Sequence, residues 1–150
     1  MDPAIKQLCD QIRETAYAIH QYHGTGHLEK VYENALANRL RRMGLEVKQQ
    51  HPLEVRDEDG TQIGDYYADL LVEDSIVIEL KACKTIADEH KAQIIGYLRS
   101  ANIVHGLLIN FGSYTFQIQK FVMDKAKRSP GLCNMLATLI SFAPFALFGG

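Results

Sequence analysis

The chain has 150 residues, 47 % of them apolar and 23 % charged, with a formal net charge of −2. That is enough chain for one domain with its own core, and an ordinary globular composition. It excludes a globally basic nucleic-acid binder, although a local patch would still suffice for binding. The three cysteines, Cys9, Cys83 and Cys133, are widely separated, so no C-x-x-C zinc spacing or disulfide framework is suggested. A reducing, cytoplasmic setting fits that usage, and no signal-peptide apolar run opens the chain.

Ile5, Leu8, Ile12, Ala16 and Ile19 recur at helical spacing and predict a helix over 4–22, started by Asp2-Pro3 and stopped near Gly24-Thr25-Gly26. His20 and His23 fall at its end, where cations suit the helix dipole, and are expected at the surface. A second helix is expected over 28–43, with Gly44 ending it. Its apolar face is Leu28, Val31, Ala35, Leu36, Leu40 and Met43. Arg39, Arg41 and Arg42 read as a solvated face near the negative end of the dipole.

Strands follow. Residues 45–56 alternate, with Pro52 suggesting an edge or a bend. Asp57-Glu58-Asp59-Gly60 is a turn, and 62–72 is the next strand. Ser75 to Ala82 reads as a short buried strand in which Ile76, Ile78, Leu80 and Ala82 share one face. Glu79 and Lys81 share the other, roughly 6.5 Å apart at Cα. A charged pair on a central strand is costly to bury. If Glu73-Asp74-Ser75 is a three-residue loop, Val72 pairs with Ile76, and counting back sets Asp69 opposite Glu79 at roughly 5 Å between Cβ atoms. Two facing carboxylates repel unless a cation holds them. A one-residue slip of register would remove the argument.

A third helix is expected over 87–101, with Gln93 and Tyr97 four residues apart on one face. Strands over 104–110 and 114–122 complete the order α-α-β-β-β-α-β-β, an α/β mixed sheet flanked by helices. From Leu132 to Phe148 all residues except Asn134, Thr138, Ser141 and Pro144 are apolar. The division expected is a domain over 1–128 and an apolar C-terminal tail over 129–150. The tail is read as a helix packing on the domain or on a second copy as a homo-oligomer. Membrane contact is the weaker reading, since the run is short for a span.

Gly26-His27-Leu28-Glu29-Lys30-Val31-Tyr32, followed by Glu33 and Ala35-Leu36, resembles the GxxExxY protein family of the PD-(D/E)XK nuclease superfamily. Gly64-Asp65-Tyr66-Tyr67-Ala68-Asp69, Ile78-Glu79-Leu80-Lys81-Ala82, Gln93-x-x-x-Tyr97 and Leu107-Leu108-Ile109-Asn110-Phe111-Gly112 extend the likeness over about 5–122. It implies a restriction-endonuclease-like core. It further implies that Asp69 and Glu79 are metal ligands, joined by Glu29 from the second helix. Lys81 matches the lysine that positions the attacking water. Gln93 and Tyr97 match the Q-x-x-x-Y motif of the RecB-like branch. Tyr67 departs from the family, where a basic residue is expected.

The function these parts imply is metal-dependent phosphodiester hydrolysis, with Mg²⁺ or Mn²⁺ compensating charge on the phosphate and leaving oxygen. One or two carboxylates suffice for Mg²⁺, which keeps several waters. Nucleic acid is the expected partner, DNA rather than RNA. The competing reading is a non-catalytic nucleic-acid- or protein-binding module that retains the fold.

Overall fold

The computed structural model describes residues 1–124 and 140–141. Helices α1, Pro3–His23, and α2, Glu29–Arg42, open the chain. Asp2 caps α1, its Oδ1 accepting from the Ala4 amide at 2.9 Å, with Pro3 in the first turn. α1 buries Leu8, Cys9, Ile12, Ala16 and Ile19. α2 buries Tyr32, Leu36, Ala37 and Leu40, and Gly44, at φ +85°, takes the left-handed conformation that carries the chain out of the helix.

The sheet is built from β1 (Val47–Arg56), β2 (Gln62–Val72), β3 (Ile76–Lys81), β4 (His105–Asn110), β5 (Gln117–Val122) and the short β6 (Ile140–Ser141), in that spatial order. β3 and β4 are parallel, and every other neighbouring pair is antiparallel. The parallel pair is joined by α3, Asp88–Ala101, as a crossover requires. This is the mixed α/β sheet expected. β1 is a sheet edge, where Pro52 costs least. The expected tail helix lies outside the described residues except for 140–141, which pair with β5. Among the described residues no helix is long and apolar enough to cross a membrane.

The core has two layers, one on each face of the sheet. Ile76, Ile78 and Leu80 of β3 pack with α1 and α2 residues such as Ile12, Ile19 and Leu36. Val77 packs on the other side with Ile94, Tyr97 and Leu98 of α3. α3 lies close on the sheet at Gly106, where a Cβ would come within 3.0 Å of Leu98 and 3.1 Å of Ile94. The period of two along β3 therefore turns Glu79 and Lys81 toward the α3 side.

Two expectations are corrected. His20 is buried rather than exposed. Its Nε2 lies 2.8 Å from the Ser113 carbonyl, and its ring packs 5.7 Å from Phe116. The β4–β5 connection folds back over the end of α1, which a helix pattern by itself does not reveal. For the same reason β5 starts at Gln117 rather than at Tyr114: Phe116 is drawn instead into a cluster with Tyr17, His20 and Phe111.

Candidate active site at the fork of β2 and β3

Glu73 and Asp74 both adopt left-handed backbone, φ +51° and +49°, and close a three-residue loop in which Val72 pairs with Ile76. Ladder pairing continues to Leu70–Ile78 and then stops. At the next position, where Asp69 and Glu79 face each other, the strands fork and side chains replace the ladder. Asp69 N donates to Glu79 Oε1 at 3.2 Å, and Leu80 N donates to Asp69 Oδ2 at 2.8 Å. Each carboxylate caps an amide that the fork releases from strand pairing, so the two acids are held together by backbone.

Glu79 is 3 % exposed. Burial, then the charge of Asp69, pushes its carboxyl up to about 8, and the Lys81 ammonium only partly opposes this. Lys81 is half-buried and turns to α3, its Nζ donating to Gln93 Oε1 at 3.1 Å. Gln93 Nε2 donates in turn to the Tyr97 hydroxyl at 2.8 Å. The four-residue spacing on α3 thus builds a relay from the strand lysine to a buried phenol. Burial and the charge of Glu79 raise the Tyr97 hydroxyl above its ordinary range, so it stays protonated at neutral pH.

Glu29 does not join this group. It is exposed in the first turn of α2 and makes no hydrogen bond or ion pair with the described residues. One helical turn further on, Glu33 does reach it. Glu33 is buried; its Oε2 accepts from Gln50 Nε2 at 3.1 Å, and the same nitrogen donates to Asp69 Oδ1 at 3.1 Å. Glu33 Oε1 accepts from Lys30 and Gln49. Gln50 has φ +49° and is skipped in the β1–β2 register, opposite Asp69. A glutamine in left-handed backbone is strained, and here its amide bridges α2 to the fork. Sequence reasoning missed both residues. The signal for Glu33 was its place one turn after Glu29; none marked Gln50.

Other motif residues support the site from behind. Tyr32 stacks on Phe111 at 4.6 Å and 8°, and its hydroxyl donates to the Gly24 carbonyl at 2.6 Å. It ties the α1–α2 loop to the sheet. Asn110 Oδ1 accepts from Cys83 N and Gly112 N, and its Nδ2 donates to the Cys83 carbonyl. A Cβ on Gly112 would sit 2.3 Å from Cys83 N, so only glycine permits that approach. With Phe111 N donating to the Lys81 carbonyl at 2.8 Å, this clamp fixes the strand end that carries Lys81.

The donor set suits a hard divalent cation. Asp69 and Glu79 retain acceptor capacity beyond the bonds described, and their mutual repulsion is what a cation relieves. Among the described residues no three His, Cys, Asp or Glu side chains group to enclose an ion. A bound ion would therefore need water or substrate oxygens as well, as Mg²⁺ commonly does.

A sequence profile of the PD-(D/E)XK nuclease superfamily matches residues 6–121, most of the chain. The chain belongs to the PD-(D/E)XK nuclease superfamily. No curated protein matches it. A solved structure described as the crystal structure of SSO0001 shares the fold, at TM-score 0.52 and 20 % identity over 65 % of this chain. The match spans 52 % of that protein's length. PD-(D/E)XK nucleases generally use divalent metal ions and act on nucleic acid, and the forked carboxylates with the lysine beyond them lie inside the matched region.

Proposed function

We propose that this protein is a metal-dependent nuclease that hydrolyses phosphodiester bonds, with DNA the expected substrate. One observation carries the reading: Asp69 and Glu79 are brought together where the strands fork, and Glu79 is buried and pushed up to about 8 by burial and its neighbour. Beyond the amides they cap, two acids this close repel once both are charged, and a bound cation removes that cost. Asp69 and Glu79 would hold Mg²⁺ or Mn²⁺. Once bound, the ion supplies charge compensation for the phosphate and an activated water. Lys81 reaches the same region and can donate to the attacking water or to a phosphate oxygen without competing for the ion. Gln93 holds the ammonium in place, and Tyr97 holds Gln93. Glu33 replaces Glu29 as the α2 carboxylate of the site, orienting Asp69 through Gln50.

The α3 relay supports placement in the RecB-like branch, and the Gly26 to Tyr32 run supports the GxxExxY family. A cytoplasmic setting agrees with the cysteine usage. The division at about residue 128, with the tail as an oligomer contact, belongs to the same proposal. The competing module, which binds without cutting, is favoured by the net charge of −2. Incubation with labelled single- and double-stranded DNA and RNA, with Mg²⁺, Mn²⁺ or EDTA, separates the two. The nuclease reading expects cleavage that needs metal and is lost in Lys81→Ala, with metal binding kept. Nucleic-acid binding with no cleavage under any ion overturns it.

A further inference from the structure

The cleavage chemistry leaves one feature beside the site unused. Tyr66 of β2 is 45 % exposed, and its ring lies 5.0 Å from that of Tyr97, inclined by 45°. Tyr97 is buried and bound to Gln93, which holds Lys81, so Tyr66 rests on the relay that ends at the reacting region. Along β2 it stands three residues before Asp69, about 10 Å at the rise of a strand. Its backbone is pinned by pairing with Leu53, which is buried beneath α3. A half-exposed aromatic ring, backed by a second ring, keeps a face on which a planar partner can stack.

We propose that Tyr66, backed by Tyr97, is a stacking platform for an unpaired nucleobase next to the phosphate held at Asp69 and Glu79, so that the substrate is taken as a single strand or an opened end. The proposal rests on the nuclease reading and narrows its substrate class. Bases inside a duplex have both faces covered by their neighbours and offer none to a ring. An unpaired base offers a π-face whatever its identity, so the contact is tolerant of sequence. The net charge of −2 gives no chain-wide attraction for phosphates, and a stacking contact adds affinity that does not depend on charge.

The test measures fluorescence anisotropy of labelled oligo(dT), oligo(U) and a hairpin duplex with the full chain and Mn²⁺, alongside cleavage of the same probes. Tyr66→Ala should weaken single-strand binding by about five- to 150-fold, the range that stacking on one base supplies. Tyr66→Leu should lose as much, because it keeps apolar bulk without a π-face, and it decides the matter if the alanine variant fails to fold. Tyr66→Phe should bind as the wild type does. Duplex affinity should not change, and neither should single-strand binding in Tyr114→Ala, which removes a tyrosine that is 96 % exposed in the β4–β5 loop. Unchanged single-strand affinity in Tyr66→Leu, with metal-dependent cleavage intact, overturns the platform and leaves the nuclease reading standing. Tyr66-dependent binding without cleavage does the reverse. A wild type that binds none of the probes overturns both.

Discussion

The two faces of β3 belong to one six-residue strand and do opposite things. On the α1–α2 side Ile76, Ile78 and Leu80 are fully or almost fully buried in an apolar layer. On the α3 side Val77 is followed by Glu79 and Lys81, at the point where β2 forks away. The apolar face is satisfied by packing alone. The polar face depends on groups from four other elements: Asp69 from β2, Gln93 and Tyr97 from α3, Gln50 from β1 and, through it, Glu33 from α2. A strand can be the centre of the core and the floor of a site together, because its side chains alternate and its neighbour is released from the ladder at one end only.

The largest expected effect comes from exchanging one residue on each face. Glu79→Gln should lower cleavage by about a hundred- to a thousandfold, as removal of a group that acts on transition-state charge does, while the metal-free protein stays folded. Ile78→Ala should cost about 2–5 kcal/mol of stability and leave cleavage per folded molecule unchanged. Denaturant melts and single-turnover assays on the two variants measure both. If Glu79→Gln unfolds the chain and Ile78→Ala does not, the polar face is structural and the contrast collapses.

A second way to sharpen the contrast is pH. In EDTA, Glu79 retains its proton in the folded chain up to about 8, whereas the unfolded chain releases it near the ordinary 4.5. The raised folded value means that Glu79 contributes no penalty below about 4.5, and that stability falls as pH rises from there through about 8, by a few kcal/mol in all. The wild type should therefore lose stability relative to Glu79→Gln between pH 5 and 8. Mn²⁺ should restore it by mass action in the wild type alone. A wild type and variant that melt in parallel across this range, with no response to Mn²⁺, would contradict the forked-carboxylate account.

The smallest effect lies furthest from the strand. Glu33→Gln should weaken Mn²⁺ affinity about tenfold, the scale on which groups orienting a ligand act, and Glu29→Gln should change it by less than about twofold, in line with a surface substitution. Isothermal titration of Mn²⁺ into both variants makes the comparison. Equal losses would return Glu29 to the site.

Much of the architecture was legible in the residues. Period-three-and-four spacing marked all three helices, alternation marked β1, and short apolar runs marked β3 and β4, each within a few residues. The turn Glu73-Asp74-Ser75 was short enough to count across, so the facing of Asp69 and Glu79 followed from local register. The four-residue interval between Gln93 and Tyr97 placed them on one helix face. These are short-range regularities, and chain geometry enforces them wherever the segment folds.

What only the tertiary structure decided is where separate elements meet. Glu29 and Glu33 are both acidic residues near the start of one helix, and no spacing rule ranks them; the docking of α2 against Gln50 buries the second and leaves the first in water. Gln50 looks like any polar residue of an edge strand until its left-handed backbone and the break in register opposite Asp69 are seen. His20 reads as a helix-end cation until the β4–β5 connection closes over it. The sequence by itself determined the elements, their order and the pair of acids that face each other. The fold decided which acid of α2 supports them, because burial is a property of contacts between elements and has no period along the chain.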